Sequence, residues 1–239
     1  MTKHLLALKR QADMVRARVR GAAMGYSNGL LLYGPPGVGK SFLVEQTLRD
    51  NGSTWAEAPK GLTPQGLLEF FKDHGSEIML FDDVAELFRN ERGRKYMMAA
   101  CGTRPDHTQV RHVSYSREGS QVDIPVSGCC IILTNDDSCP KAFASRVPVL
   151  EYSPSQEQIA ALMRRIVREG ITRGKWHLTA DECRMVTEYL ISEAEKEGVP
   201  LDLRDLMEKS LPDYAMWKAG LSKVLWKDMV RAHLFGKIG

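Results

Sequence analysis

Apolar residues return at steps of three and four near the start of the chain, at Leu5, Leu8, Ala12, Val15 and Val19. Lys9, Arg10, Arg16, Arg18 and Arg20 fill positions around them, so the spacing predicts an amphipathic helix, interrupted by Gly21 and Gly25. The pattern then changes. Gly29-Leu30-Leu31-Leu32-Tyr33 is a short continuous apolar run, as a parallel strand buried on both faces requires. A glycine-rich turn follows at once, and helical spacing resumes from Phe42 to Leu48. Ser53 to Ala58 reads as a weaker strand, Lys60-Gly61 as a turn, and Leu67, Leu68 and Phe71 as one face of a helix. Ile78-Met79-Leu80-Phe81 predicts a second buried strand ending in Asp82-Asp83, followed by a helix carrying Met97 and Met98. From Gln109 to Pro125 the period drops to two, through Val110, Val113, Tyr115, Val122 and Ile124. Arg117-Glu118-Gly119-Ser120 supplies turn residues there, so a hairpin is expected. Cys129 to Leu133 is a third buried strand, closed by Thr134-Asn135-Asp136-Asp137, and Pro148 to Tyr152 is a further short one.

Beyond residue 153 the pattern is almost wholly helical: Gln156 to Arg168, Ala180 to Lys196, Asp202 to Lys209, and a tail from Tyr214 to Phe235. Strands alternating with helices, then helices alone, predict an α/β domain with a parallel sheet followed by a small all-helical domain. The expected divisions are an N-terminal helix and linker over 1–24, the α/β domain over 25–152 and the helical domain over 153–239.

Composition narrows the picture only a little. With 239 residues, 43% apolar and 26% charged, the chain has ordinary globular make-up and length for one large core or for a domain plus an appended one. A formal charge of +3 permits a nucleic-acid partner without arguing for one. Five cysteines, Cys101, Cys129, Cys130, Cys139 and Cys183, show no CxxC spacing. Their odd number and apolar setting predict buried free thiols in a reducing compartment rather than a zinc site. No apolar run approaches the ~20 residues of a membrane span and no signal peptide is visible, so a cytoplasmic location is expected.

Chemistry enters at Gly34-Pro35-Pro36-Gly37-Val38-Gly39-Lys40-Ser41, which matches G-x-x-x-x-G-K-[ST] at every fixed position. A triphosphate needs several backbone N–H groups converging on it, and glycine reaches the conformations that aim them. Pro35 and Pro36 carry no N–H, so the donors come from Gly37 onward and from the helix N-terminus that starts before Phe42. Lys40 then reaches the β- and γ-phosphates, and the Ser41 hydroxyl ligates Mg²⁺. Asp82 ends a buried strand, where a carboxylate can hold the metal, and Asp83 beside it is the candidate that orients or deprotonates the attacking water. Both could instead cap the following helix. Asn135, just past the third buried strand, can hold the γ-phosphate or the water, or can simply form a turn.

This order of motifs resembles the AAA+ ATPases over about residues 25 to 210. The resemblance rests on the phosphate loop with Lys40 and Ser41, Asp82-Asp83 as Walker B, and Asn135 as sensor 1. Ala144-Ser145-Arg146-Val147 follows, then Leu201-Asp202-Leu203-Arg204-Asp205-Leu206. It implies a P-loop AAA+ core with a helical lid, ATP and Mg²⁺ as ligands, and a homo-oligomer, ring or helical. In such an assembly Arg146 acts as a finger on a neighbouring subunit's nucleotide and Arg204 as sensor 2. Walker B departs from the commoner Asp-Glu. The layout is most similar to AAA+ proteins encoded by bacteriophages, which places the chain in a bacterial or phage-infected cell.

The candidate substrate contacts are Lys60 and Leu62, where AAA+ rings often place a pore loop, and Arg111, His112 and Arg117 with Tyr115 on the hairpin. Cations interleaved with an aromatic suit phosphate contact and base stacking. A solvated hairpin explains the same residues. The first functional reading is an ATPase that remodels or loads onto a nucleic-acid–protein complex. The alternatives are a ring helicase similar to superfamily 3, which lacks such a lid, and a protein-remodelling motor without nucleic acid. A small P-loop kinase fits least, having no need of Asn135, Arg146 and the lid.

Overall fold

The computed structural model describes residues 2–83, 85–102, 110–117, 120–135 and 141–236, with only the backbone described at Ala85 and Arg117. The N-terminal periodicity becomes helix α1 (Lys3–Ala23), whose buried positions are Leu8, Ala12, Val15, Val19 and Ala22. The chain divides into two compact units. One consists of Arg10–Pro35 and Gly39–Ser153, the other of Met1–Lys9, Pro36–Val38 and Pro154–Gly239. Residues of helix α1 and of the glycine-rich loop fall in both units.

The first unit is α/β. Its elements are β1 (Gly29–Tyr33), α2 (Lys40–Asp50), β2 (Trp55–Glu57), α3 (Pro64–His74), β3 (Ile78–Asp82), α4 (Ala85–Arg89) and α5 (Glu91–Ala100). Then come β4 (Arg111–Arg117), β5 (Ser120–Val126), β6 (Cys129–Thr134), α6 (Lys141–Ala144) and β7 (Val149–Glu151). Five strands form one parallel sheet in the order β2-β3-β6-β1-β7, flanked by helices. Apolar runs without alternation are what such a sheet needs, because both of its faces are covered. Leu31, Met79, Phe81, Cys130 and Ile132 point to one face and join a core with Leu67, Leu68 and Phe71 of α3 and Met97 of α5. Their neighbours Leu30, Leu32, Leu80, Ile131 and Leu133 point the other way and are equally buried.

The alternating stretch forms the expected hairpin, β4 against β5, with Arg117 opposite Ser120. Its turn residues Glu118 and Gly119 lie outside the described residues, as do Asp136, Asp137 and Cys139. Cys101, Cys129, Cys130 and Cys183 are free and buried. Burial pushes the Cys129 thiol up to about 12. Cys130 is raised as well, by its hydrogen bond with Cys101 and by burial, so these are packing groups rather than nucleophiles.

The second unit is mostly helical. Helix α7 (Gln156–Ile166) starts at a reciprocal cap between Ser155 and Gln158, and α8 (Ala180–Glu197) at one between Thr179 and Glu182. The expectation of an all-helical domain needs correction. Ile171–Arg173 (β8) and Trp176–Leu178 (β9) pair antiparallel across Gly174, which adopts φ 57°. Three-residue strands are too short for periodicity to register, and the positive φ glycine is the one turn signal they carry. The stretch expected as a helix over 202–209 is wound as a π-helix, Asp205–Ser210, running into α9 (Leu211–Lys218). The helical tail is broken by 219–225 before α10 (Trp226–Phe235).

Candidate functional site

Sheet register builds the site in the α/β unit. Tyr33 lies beside Thr134, and Asp82 beside Leu133. The strand ends leading into Gly34, Asn135 and Asp83 therefore emerge together at the carboxyl edge, where open α/β sheets bind ligands. Strand β6 lies between β1 and β3, which sets Asn135 between the loop's Lys40 and Asp82.

The loop after β1 turns into α2 through residues in the left-handed region, Gly37 at φ 70° and Gly39 at φ 88°. Gly39 is the N-cap of α2 and offers no side chain to cap it. The first turn and the positive end of the dipole of an eleven-residue helix are thus directed at the loop. Lys40, at 7% exposure, curls back to donate from Nζ to Gly34 O and Pro35 O, each at 2.7 Å. It also donates to Asn135 Oδ1 at 3.1 Å. These contacts hold a buried ammonium at the loop, where its charge can serve an anion.

One residue on, Ser41 Oγ donates to Asp82 Oδ2 at 2.8 Å. Serine hydroxyl and aspartate carboxylate thus form a pair of hard oxygen donors, the type that Mg²⁺ takes together with waters and phosphate oxygens. Among the described residues no cluster of three or more His, Cys, Asp or Glu could hold a metal by itself. The donor set therefore suits a metal that arrives with its own ligands.

Asp83 is the one described non-glycine residue with positive φ, at 59°. Its N–H still donates to Leu133 O, at 3.2 Å, so the backbone turns while tied to β6 and leaves the side chain exposed. Aspartate tolerates this region better than most residues, and such outliers collect where geometry is constrained by function. Phe42 follows the loop and is 69% exposed.

The remaining candidates are scattered. Arg146 is half-buried just after α6, with Nη1 donating to Ala142 O. Together with Ser145, His112 and Ser114 it lines an open cavity of about 570 Å³. Arg204 is exposed at the start of the π-helix, where its own N–H donates to Asp202 Oδ1 at 2.7 Å. Asp205 and Glu208, the acids that follow it, are bound to Lys209 and Arg173. Lys60 is exposed, whereas Leu62 is half-buried and packs against the core.

Arg111 corrects an expectation. It is 3% exposed, and its guanidinium donates to Ala100 O (2.8 Å), Asn28 Oδ1 (3.1 Å) and Gly128 O. It bolts the hairpin to the sheet rather than meeting a substrate. Strand parity was the missed signal, since Arg111 shares a face with Val113 and Tyr115, and Val113 is fully buried. His112, Ser114 and Ser116 take the exposed face. The Arg117 side chain lies outside the described residues. Sequence reading also missed that Leu203 N–H donates to Gly37 O at 3.0 Å.

Comparison of the chain with protein-family models and with curated proteins finds no match. No helix among the described residues is long and apolar enough to cross a membrane.

Proposed function

We propose that the chain is a Mg²⁺-dependent ATPase of AAA+ type. The observation that carries this reading is the pairing of Ser41 with Asp82 beside the buried ammonium of Lys40. Two residues 41 positions apart in sequence meet at the carboxyl edge of the sheet. Each has the donor chemistry that its place in the nucleotide motif calls for. A glycine-rich turn without function has no use for either contact.

In this reading the N–H groups from Gly37 to Ser41 and the Lys40 ammonium bind the phosphates. Ser41 and Asp82 hold Mg²⁺, which supplies charge neutralisation on the phosphate oxygens. Asn135 has its Oδ1 engaged by Lys40, which leaves the amide N–H₂ to hold the γ-phosphate or the water. Asp83 orients that water and accepts its proton, and its shorter side chain relative to glutamate goes with slow turnover. Arg146 is half-buried, and among the described residues its guanidinium bonds to Ala142 O of its own turn, which leaves it available as a finger that acts on the nucleotide of a neighbouring subunit. Arg204, which is exposed, has the sensor-2 role. The work done with ATP is remodelling of, or loading onto, a nucleic-acid–protein complex, with His112 and Lys60 as the exposed contacts.

The test is phosphate release from ATP with Mg²⁺, with and without single- and double-stranded DNA, for the wild type and Lys40→Ala. Hydrolysis that Lys40→Ala abolishes supports the reading, and wild-type protein that neither binds nor hydrolyses ATP overturns it. Stimulation by DNA supports the nucleic-acid target, and strand separation selects a helicase. Hydrolysis with no DNA effect and no DNA binding transfers the target to protein remodelling.

A further inference from the structure

The crest of the glycine-rich loop, Pro36–Val38, belongs to the same compact unit as Pro154–Gly239. Within that unit Gly37 meets the segment 201–204 in two ways. Its carbonyl accepts from Leu203 N–H at 3.0 Å. Its Cα faces the Asp202 side chain so closely that a methyl group added there would fall on the Asp202 carboxyl carbon. A carboxylate is therefore seated on the crest of a loop whose chemistry is suited to anions.

Asp202 is held there by its own turn. Its Oδ1 accepts from Arg204 N–H at 2.7 Å, and its carbonyl accepts from Asp205 N–H at 3.0 Å. Neither contact neutralises its charge, and the basic side chains Lys209 and Arg173 are bound to Asp205 and Glu208. An asparagine would make the same turn, because the cap needs only the Oδ1 acceptor. The turn explains an Asx residue at this position. It does not explain a negative charge against the loop.

We infer that Asp202 is a specificity-determining residue of the phosphate loop, whose carboxylate at Gly37 favours metal-complexed triphosphate over the metal-free anion. The inference rests on the reading of Gly34 to Ser41 as a nucleotide loop. Any phosphate held by the Gly37 N–H lies within a few bond lengths of this carboxylate, a range over which like charges repel strongly in a partly dry setting. Mg²⁺ removes two of the negative charges of ATP, and ADP carries one fewer than ATP. The penalty is greatest for metal-free ATP, smaller for metal-free ADP and smallest for the magnesium complex. The resident acid thus discourages the loop from filling with nucleotide that lacks the metal needed for reaction.

The test is equilibrium binding of ATP and ADP, each with excess Mg²⁺ and with excess EDTA, to the wild type and Asp202→Asn. The asparagine variant keeps the turn, and its unfolding midpoint is compared with the wild type as a check. Metal-free ATP is expected to bind the variant roughly five- to tenfold more tightly, with a change below about twofold for the magnesium complex. Raising ionic strength should close the difference between the two proteins, because screening removes it. If the wild type binds nucleotide but Asp202→Asn leaves the ratio of metal-free to metal-bound affinity unchanged, the inference falls and the nucleotide reading stands. Equal weakening of all ligands also overturns it, making Asp202 a structural clasp. If the wild type binds no nucleotide under either condition, the nucleotide reading itself falls and takes this inference with it.

Discussion

Lys40 and Asn135 lie 95 residues apart in sequence, and the Lys40 Nζ donates to the Asn135 Oδ1 at 3.1 Å. The contact links the helix that follows β1 to the end of β6, and it orients the asparagine with its N–H₂ away from the lysine. Asn135→Ala is expected to lower ATP turnover by roughly 10²-fold, because an amide positioning a reacting group is worth that much. ATP affinity should change by less than about threefold, since Lys40 keeps Gly34 O and Pro35 O as anchors. Single-turnover kinetics beside equilibrium binding separates the two effects. A loss confined to affinity would remove Asn135 from the chemistry.

Asp83 combines a left-handed backbone with an exposed carboxylate, so substitutions there separate strain from catalysis. Asp83→Asn keeps a residue that tolerates φ 59° and should leave stability within about 0.5 kcal/mol while stopping hydrolysis. Asp83→Val should stop hydrolysis too, but at a backbone cost of about 1–2 kcal/mol. Denaturant unfolding and turnover, measured on both variants, check the pair. Normal turnover in Asp83→Asn would end its role as base.

The buried guanidinium of Arg111 makes a stability prediction. Arg111→Ala leaves the Ala100 and Gly128 carbonyls and the Asn28 amide without their donor. It should cost roughly 2–4 kcal/mol. Arg111→Lys should recover only part, because an ammonium cannot span three acceptors in that fork. His112→Ala, one residue away on the exposed face, should lie within about 0.5 kcal/mol of wild type. Denaturation midpoints test the contrast.

Glu182 predicts an acid-sensitive step in the helical unit. The Lys218 ammonium, 2.6 Å away, and the Thr179 N–H hold its carboxyl down to about 2. A carboxylate depressed in the folded state stabilises above its unfolded value, and the contribution is lost as pH falls through that value toward about 2. Solvent screening limits the effect to about 1 kcal/mol. Glu182→Gln should therefore be less stable than wild type at neutral pH and converge with it in strong acid. Helicity followed against pH measures this.

Arg146 supplies the prediction about assembly. If its guanidinium serves a neighbour's nucleotide, turnover per subunit should rise with protein concentration as oligomers form. Arg146→Ala should then lower turnover by roughly 10³-fold while ATP still binds. Constant specific activity in a demonstrably monomeric sample would exclude action across an interface.

The sequence by itself determined the sheet strands and the residue pattern of the loop. Unbroken apolar runs at Leu30–Leu32, Ile78–Phe81 and Cys129–Leu133 can be satisfied only by burial on both faces. The spacing from Gly34 to Ser41 states the phosphate motif directly. Tertiary structure decided what spacing does not encode: which distant residues meet, and which way a charged side chain faces. The parallel register brings Ser41 to Asp82 and Lys40 to Asn135. Arg111, cationic in sequence and therefore read as a candidate substrate contact, is drawn inward because β4 puts it on the face of Val113 with backbone carbonyls waiting. The β8–β9 hairpin and the π-turn at Asp205–Ser210 arise from packing over too few residues to leave a period. The loop's own crest shows the same division. Glycine at 37 is written in the sequence, at a position the motif leaves open, but the carboxylate of Asp202 resting on it comes from a segment 165 residues later, and only folding brings it there.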